Sequence, residues 1–261
     1  MILKAVLLGI IEGLTEFLPI SSTGHLILAN EYLAFTGAFA NLFSIVIQSG
    51  AIGAVILFFR KKIFPENLSR ASLEKFFRLW SRVLVGIIPA GVLGILFEES
   101  IEALFFHAAP VALALIVGGI AIIVMENVTI EESVTDELEM TYFQALLVGF
   151  FQTLALFPGV SRSAATIIGG RSLGFTRKVA AEFSFFLAIP TLLGAGLIKL
   201  LRTPLSLESS EVTILVVGTL VSFVVAYGVI AGFMAYIKKK DFKIFAYYRI
   251  VLGILVLYLL G

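Results

Sequence analysis

EGLTEFLPISSTGHL, residues 12–26, places two acids, a proline and a run of hydroxyls within an otherwise apolar stretch. The apolar run before the break, residues 3–17, would be about 22 Å long as a helix at 1.5 Å per residue. That is short for a helix crossing the roughly 30 Å hydrocarbon layer, which takes about 20 mostly apolar residues. It also makes a poor signal peptide, since Glu12 and Glu16 lie in the apolar region and no small-residue cleavage site follows. The break at Pro19 and the hydroxyls after it point instead to a helix that enters the membrane, turns and leaves on the same side. Such irregular backbone survives at membrane depth only when surrounded by protein or lining a wet cavity.

The rest of the chain supplies that membrane. Of 261 residues, 59% are hydrophobic and only 14% charged, with a mean hydropathy of +1.06. A soluble domain is about 45–50% apolar and about 25% charged, and a single core of this size cannot hide the excess. Lipid must be much of the solvent, which excludes a cytosolic enzyme, a secreted disulfide module and a disordered tail. The net charge of +1 suggests no nucleic-acid partner, and the absence of cysteine excludes thiolate chemistry.

Six stretches are long enough to span: residues 42–59, 79–97, 108–125, 183–200, 212–237 and 244–260. Lys and Arg in short loops set their direction. Arg60, Lys61, Lys62, Arg70, Lys75 and Arg78 follow the first span, and Lys238, Lys239, Lys240 and Lys243 precede the last. Both loops are expected in the cytoplasm. The loop of Glu98, Glu99 and Glu102, the connection 203–211 and the C-terminus then fall outside. Segment 126–139 falls inside although it carries six acids and no base, which is tolerable because acids contribute little to topology.

Segments 1–41 and 141–182 remain, and both read as re-entrant helix–loop–helix hairpins. A shift of 140 residues superimposes them: Gly9, Leu14, Phe17 and Ser21 fall on Gly149, Leu154, Phe157 and Ser161, and Glu12 meets Gln152. The first span and its counterpart at 183–200 run in opposite directions. The expectation is a single polytopic all-α membrane domain over residues 1–261. Within it, an inverted repeat covers about 1–126 and about 141–261, with its site where the hairpin tips meet.

In the first tip, Glu12 and Glu16 are four residues apart on one helical face. Two bare carboxylates that close need a proton or a cation between them. The plain alternative is a pair facing water at a helix end, or a cap for the loop. Ser21, Ser22 and Thr23 begin a new helix, as caps or as part of an anion site at its N-terminus. Ser22 and His25, three apart, could pair as nucleophile and base or acid, whereas His107 reads as a solvated surface residue. The second tip, PGVSRSAAT at residues 158–166, repeats the break and the hydroxyls. Its Arg162 is costly in apolar surroundings unless an anion compensates it. That anion is a phosphate, or Glu12 or Glu16 across the repeat. Acids, hydroxyl, imidazole, guanidinium and helix N-termini together suit cleavage of a phosphoanhydride.

These two motifs resemble those of the undecaprenyl-pyrophosphate phosphatase family (UppP, also called BacA, linked to bacitracin resistance), and the likeness continues through EFSFFLAIPT at 182–191. The resemblance implies a multi-pass enzyme of the inner (plasma) membrane, with its site open to the outer face. It would remove the terminal phosphate of the C55 isoprenoid diphosphate and so recycle the lipid carrier for cell-wall glycans. Glu12 and Glu16 would be the essential acidic pair and the ligands of a Mg²⁺ or Ca²⁺, Ser22 and His25 catalytic residues, and Arg162 the phosphate-binding arginine. Ser161, Ser163 and Thr166 would complete the phosphate loop; Ser21, Thr23 and Gln152 are counted with the substrate-binding residues. Relatives often carry an acid where this chain has Ser44, so Ser44 is assigned no role. Besides the prenyl diphosphate and membrane lipid, a second copy of the chain is admitted as a partner. The competing reading is an inverted-repeat transporter or lipid flippase. It has no need of a Ser–His pair, and it is separated from the enzyme by phosphate release from a prenyl diphosphate.

Overall fold

Where the sequence breaks, the backbone breaks. The computed structural model describes residues 1–202 and 207–260. Within them the chain forms α1 (Ile2–Thr15), α2 (Ser22–Leu33), α3 (Ala38–Phe58), a single turn α4 (Arg60–Ile63), α5 (Arg70–Phe105) and α6 (Ala108–Asn127). There follow α7 (Tyr142–Thr153), α8 (Arg162–Ser172), α9 (Arg177–Arg202), α10 (Ser209–Ile237) and α11 (Lys243–Leu260). The described residues contain no strand, only an isolated bridge between Val134 and Phe175.

All six expected spans are present as α3, α5, α6, α9, α10 and α11, each long and apolar enough to cross a bilayer. Their outward faces are stripes of bare hydrocarbon: Leu84, Ile88, Val92 and Ile95 on α5, and Val216, Leu220 and Val224 on α10. The spacing of three or four keeps each stripe on one face, and lipid is the solvent it suits. The protein is an all-α, multi-pass integral membrane protein. Inside, phenylalanines fill the space between α3, α9 and α10, with Phe59, Phe185, Phe186 and Phe233 packed edge-on or tilted.

Two helix ends differ from the sequence expectation. Glu98, Glu99 and Glu102 lie in α5, which continues to Phe105, rather than in a loop. Lys199 and Arg202 of α9 explain the extension, with Lys199 Nζ 2.9 Å from Glu98 and Glu102 and Arg202 2.6 Å from Glu99. The connection expected outside at 203–211 falls partly outside the described residues, as does Gly261 at the C-terminus. Segment 126–139 is also less anomalous than its composition suggests. Glu126 pairs with Arg177, Glu132 with Arg171, and Glu137 with Lys62, so bases from other segments neutralise it.

The short helices are set by close backbone contacts. A Cβ on Gly9 of α1 would lie 2.6 Å from the Gly218 carbonyl of α10, and one on Gly149 of α7 would lie 2.1 Å from the Gly86 carbonyl of α5. Only glycine permits either approach. A capping box at Thr141 and Gln144 starts α7. These contacts hold α1 and α7 against long helices and aim both C-terminal ends at one region of the interior.

Candidate active site

At the end of α1 the helical bond from Glu16 N–H to Glu12 O is kept at 3.0 Å, so the two acids stay one turn apart. Glu12 is 0% exposed and neither carboxylate oxygen has a hydrogen-bond partner. Pro19 then prevents the helix from continuing. The chain turns through Ser21, whose φ of 70° is unusual for a residue with a side chain. Such strain, on the order of 1–3 kcal/mol, persists where surrounding structure imposes it. Ser21 Oγ accepts from Gly24 N–H and caps α2, as expected.

Ser22, on the first turn of α2, donates from Oγ to Glu16 Oε2 at 2.7 Å. His25 lies 2.7 Å through Nδ1 from the Ser21 carbonyl and 2.8 Å through Nε2 from the Tyr248 hydroxyl. A carbonyl only accepts, so Nδ1 carries the proton; in the neutral ring Nε2 accepts from Tyr248. The Ser22–His25 pair expected from their spacing is therefore not made. Helical proximity allowed it, but both ring nitrogens find other partners and the serine proton finds a carboxylate. Thr23 is half-buried on the first turn of α2, and its side chain makes no hydrogen bond to the neighbouring acids.

The second tip is built on α8. Gly159 turns the chain at φ 91°, and Ser161 caps the helix by accepting from Ala164 N–H at 3.2 Å. Arg162, the first residue of α8, donates from Nη1 to the Ser184 carbonyl at 2.8 Å and from Nη2 to Glu16 Oε1 at 3.2 Å. Its guanidinium carbon also stands 5.7 Å from the centre of the Phe17 ring. Ser163 donates to the Leu18 carbonyl at 2.7 Å and accepts from Ser161 at 2.9 Å. Thr166 Oγ1 lies 2.7 Å from Ser184 Oγ.

The tips thus meet through two bonds, Arg162 to Glu16 and Ser163 to Leu18. Together they gather Glu12, Glu16, Ser22, Arg162 and Ser163 in one interior cluster, with Ser161 and Thr166 bonded to it. Gln152 is buried but donates to Thr191 Oγ1 at 3.3 Å, and no hydrogen bond links it to the cluster. Ser44 donates to the Ala40 carbonyl within its own helix.

Three further residues contribute that the local sequence pattern of the tips does not single out. Ser184 holds Arg162 and Thr166, Tyr248 holds His25, and Arg249 is fully buried beside both tips. A charged residue in mid-span marks Arg249 as a candidate; nothing comparable marks Tyr248 or Ser184.

One guanidinium faces two carboxylates, so with both ionised a negative charge is left over, which a proton or cation would balance. The orphaned oxygens of Glu12 suit a hard cation, which often takes one or two carboxylates and fills its shell with water and substrate phosphate. Among the described residues no group of three or more His, Asp or Glu forms a complete protein cage. The N-termini of α2 and α8 add unpaired N–H groups that favour an anion.

Residues 5–255 match the family described as bacitracin resistance protein BacA. The chain is 52% identical over 260 residues to undecaprenyl-diphosphatase 1 of Clostridioides difficile (strain 630), covering 98% of this chain and 95% of that one. It is 47% identical over 264 residues to undecaprenyl-diphosphatase of Enterococcus faecalis, covering 98% and 96%. To the protein of that name from Desulfitobacterium hafniense (strain DSM 10664 / DCB-2) it is 47% identical over 263 residues, covering 98% and 95%. With the family match over nearly the whole chain and relatives of this identity at almost full length, the chain belongs to the bacitracin resistance protein BacA family.

Proposed function

We propose that this chain hydrolyses undecaprenyl diphosphate to the monophosphate and inorganic phosphate, returning the lipid carrier to cell-wall synthesis. The observation that carries the reading is the Glu16 carboxylate, which receives the Ser22 proton on one oxygen and Arg162 on the other. A nucleophile, a base and a phosphate-binding fork are thereby held in one chain of contacts. Relatives named for this activity at 47–52% identity agree with it.

Within the cluster Arg162 is neutralised by Glu16. An arriving diphosphate offers more negative oxygens and a bidentate match to the guanidinium, so Arg162 turns to it and Glu16 is released as a base. Ser22 Oγ then attacks the terminal phosphorus as its proton passes to Glu16. The bond from that phosphorus to the bridging oxygen breaks, and the lipid monophosphate leaves. Water cleaves the resulting serine phosphate, releasing inorganic phosphate and restoring the hydroxyl. His25, at the same helix end, holds or moves a proton at Nε2. Glu12 and Glu16 would bind a Mg²⁺ or Ca²⁺, which supplies charge neutralisation for the diphosphate when bound.

The basic loops favour an orientation with the site opening to the outer face, and the family's role in cell-wall synthesis favours the plasma membrane. The inverted repeat is supported by an exchange of partners: α1 meets α10 at Gly9 and Gly218, while α7 meets α5 at Gly149 and Gly86. Each short helix packs on a long helix of the other half. The reading admits a homodimer, which a mass measurement in detergent tests.

Detergent-purified protein should release phosphate from a prenyl diphosphate. No release with any divalent cation would favour transport instead. Full turnover in Ser22→Ala would remove the serine step and leave His25 or water as the attacking group.

A further inference from the structure

Arg249 stands midway along α11, an apolar span, and its side chain is 0% exposed. A guanidinium in that position is costly unless every proton finds an acceptor. No carboxylate partners it among the described residues; four of its five N–H groups donate to backbone carbonyls from three segments. Nε donates to Leu115 O at 3.3 Å and Nη2 to Ala114 O at 3.2 Å, both on α6. Nη1 donates to Pro19 O at 3.4 Å, and Nη2 also to Gly159 O at 3.3 Å.

The last two acceptors are the residues at which the two tips break. Irregular backbone there has no helical donor for its carbonyls and no bulk water at membrane depth. Ser22 lies three residues beyond Pro19, and Arg162 three residues beyond Gly159. One planar fork therefore ties together points at equal distance along the chain from the nucleophile and from the phosphate-binding arginine. Its space is provided by Gly118, where a Cβ would stand 2.3 Å from Nη2. Lysine has three donors on a single point and cannot span these segments.

We propose that Arg249 is a positioning residue for the hydrolysis, setting the register of the two tips and hence the placement of Ser22 against the phosphate held by Arg162. This rests on the phosphatase reading above. A register error of about 1 Å between reacting groups can lower turnover by about a hundredfold without weakening substrate binding.

The test is phosphate release from a prenyl diphosphate by detergent-purified wild type, Arg249→Lys, Arg249→Met and Gly118→Ala. The glycine variant keeps the arginine but pushes its guanidinium off the carbonyls. In protein that stays monodisperse, kcat should fall by about tenfold or more in both arginine variants and by about threefold or more in Gly118→Ala. KM should stay within about threefold of wild type. Wild-type kcat in any folded variant, or a raised KM with kcat unchanged, overturns the inference. So does a failure of all three to fold, since Arg249 would then be scaffold only. The wild-type control separates the two readings: no release from it removes the phosphatase, whereas release equal to that of the variants removes only the role of Arg249.

Discussion

The hydroxyl of Tyr248 lies 2.8 Å from Nε2 of His25, and the two rings stack with centroids 5.5 Å and planes 9° apart. With Nδ1–H on the Ser21 carbonyl, this contact fixes both the ring and its tautomer. The last span thereby orients a side chain of the first tip.

Tyr248→Phe keeps the stacking and removes one hydrogen bond, worth about 1 kcal/mol. Turnover in a phosphate-release assay should fall by about fivefold, against about a hundredfold for His25→Ala. The double variant should be no slower than His25→Ala alone, because the tyrosine acts through the imidazole. Additive losses would show that Tyr248 works independently.

Glu12 and Glu16 should separate stability from activity. Glu16→Gln breaks a buried pair with Arg162, whose side chains are only 6% and 8% exposed. Such a loss costs about 3–5 kcal/mol, so the thermal midpoint in detergent should drop together with turnover. Glu12→Gln removes an unpartnered buried carboxylate instead. Its midpoint should hold or rise while phosphate release falls by about a hundredfold.

Lys62 gives an alkaline limb to stability. Burial works against its ammonium, but Glu182 and Glu137, 2.7 and 2.9 Å away, outweigh that and raise its pKa. A raised folded pKa means that stabilisation is fully present below the unfolded lysine value of about 10.4 and is lost as pH rises through the folded one. The wild-type thermal midpoint should be flat in this respect from about pH 8 to 10 and fall above that. Lys62→Met should begin lower and fall less. Equal slopes in a pH series would remove the pairing from the account.

Gly149→Ala should destabilise by about 1–3 kcal/mol or prevent folding, since its Cβ meets the Gly86 carbonyl at 2.1 Å. Gly228→Ala, in α10 with nothing within 4 Å, should be neutral or gain up to about 1 kcal/mol from helix propensity. Thermal midpoints of the two variants, compared in one detergent, check the contrast.

All six spans, the breaks at Pro19 and Gly159, and the acids, hydroxyls and arginine of the tips were legible in the sequence. Each depends on local properties: hydropathy over one membrane thickness, the missing N–H of proline, glycine at positive φ, and helical spacing. The local reading failed where distant segments decide. Helical spacing offered Ser22 to His25, but Glu16 took the serine proton and Tyr248 took the imidazole. Gln152, set against Glu12 by the repeat, turned to Thr191. The acids at 98–102 look like a loop in the sequence because their partners, Lys199 and Arg202, come from another helix.

Membrane residence, all-helical spans and the inventory of the site thus follow from the sequence by itself, because a backbone in lipid must satisfy its own hydrogen bonds. Only the tertiary structure decided how the inventory is paired. Buried polar atoms in a low dielectric take whichever partner the packing brings within about 3 Å, and Arg162, one of the two side-chain partners of Glu16, lies 146 residues away in the chain. The same rule placed Arg249 on the carbonyls of both tips, a contact that no reading along one segment could reveal.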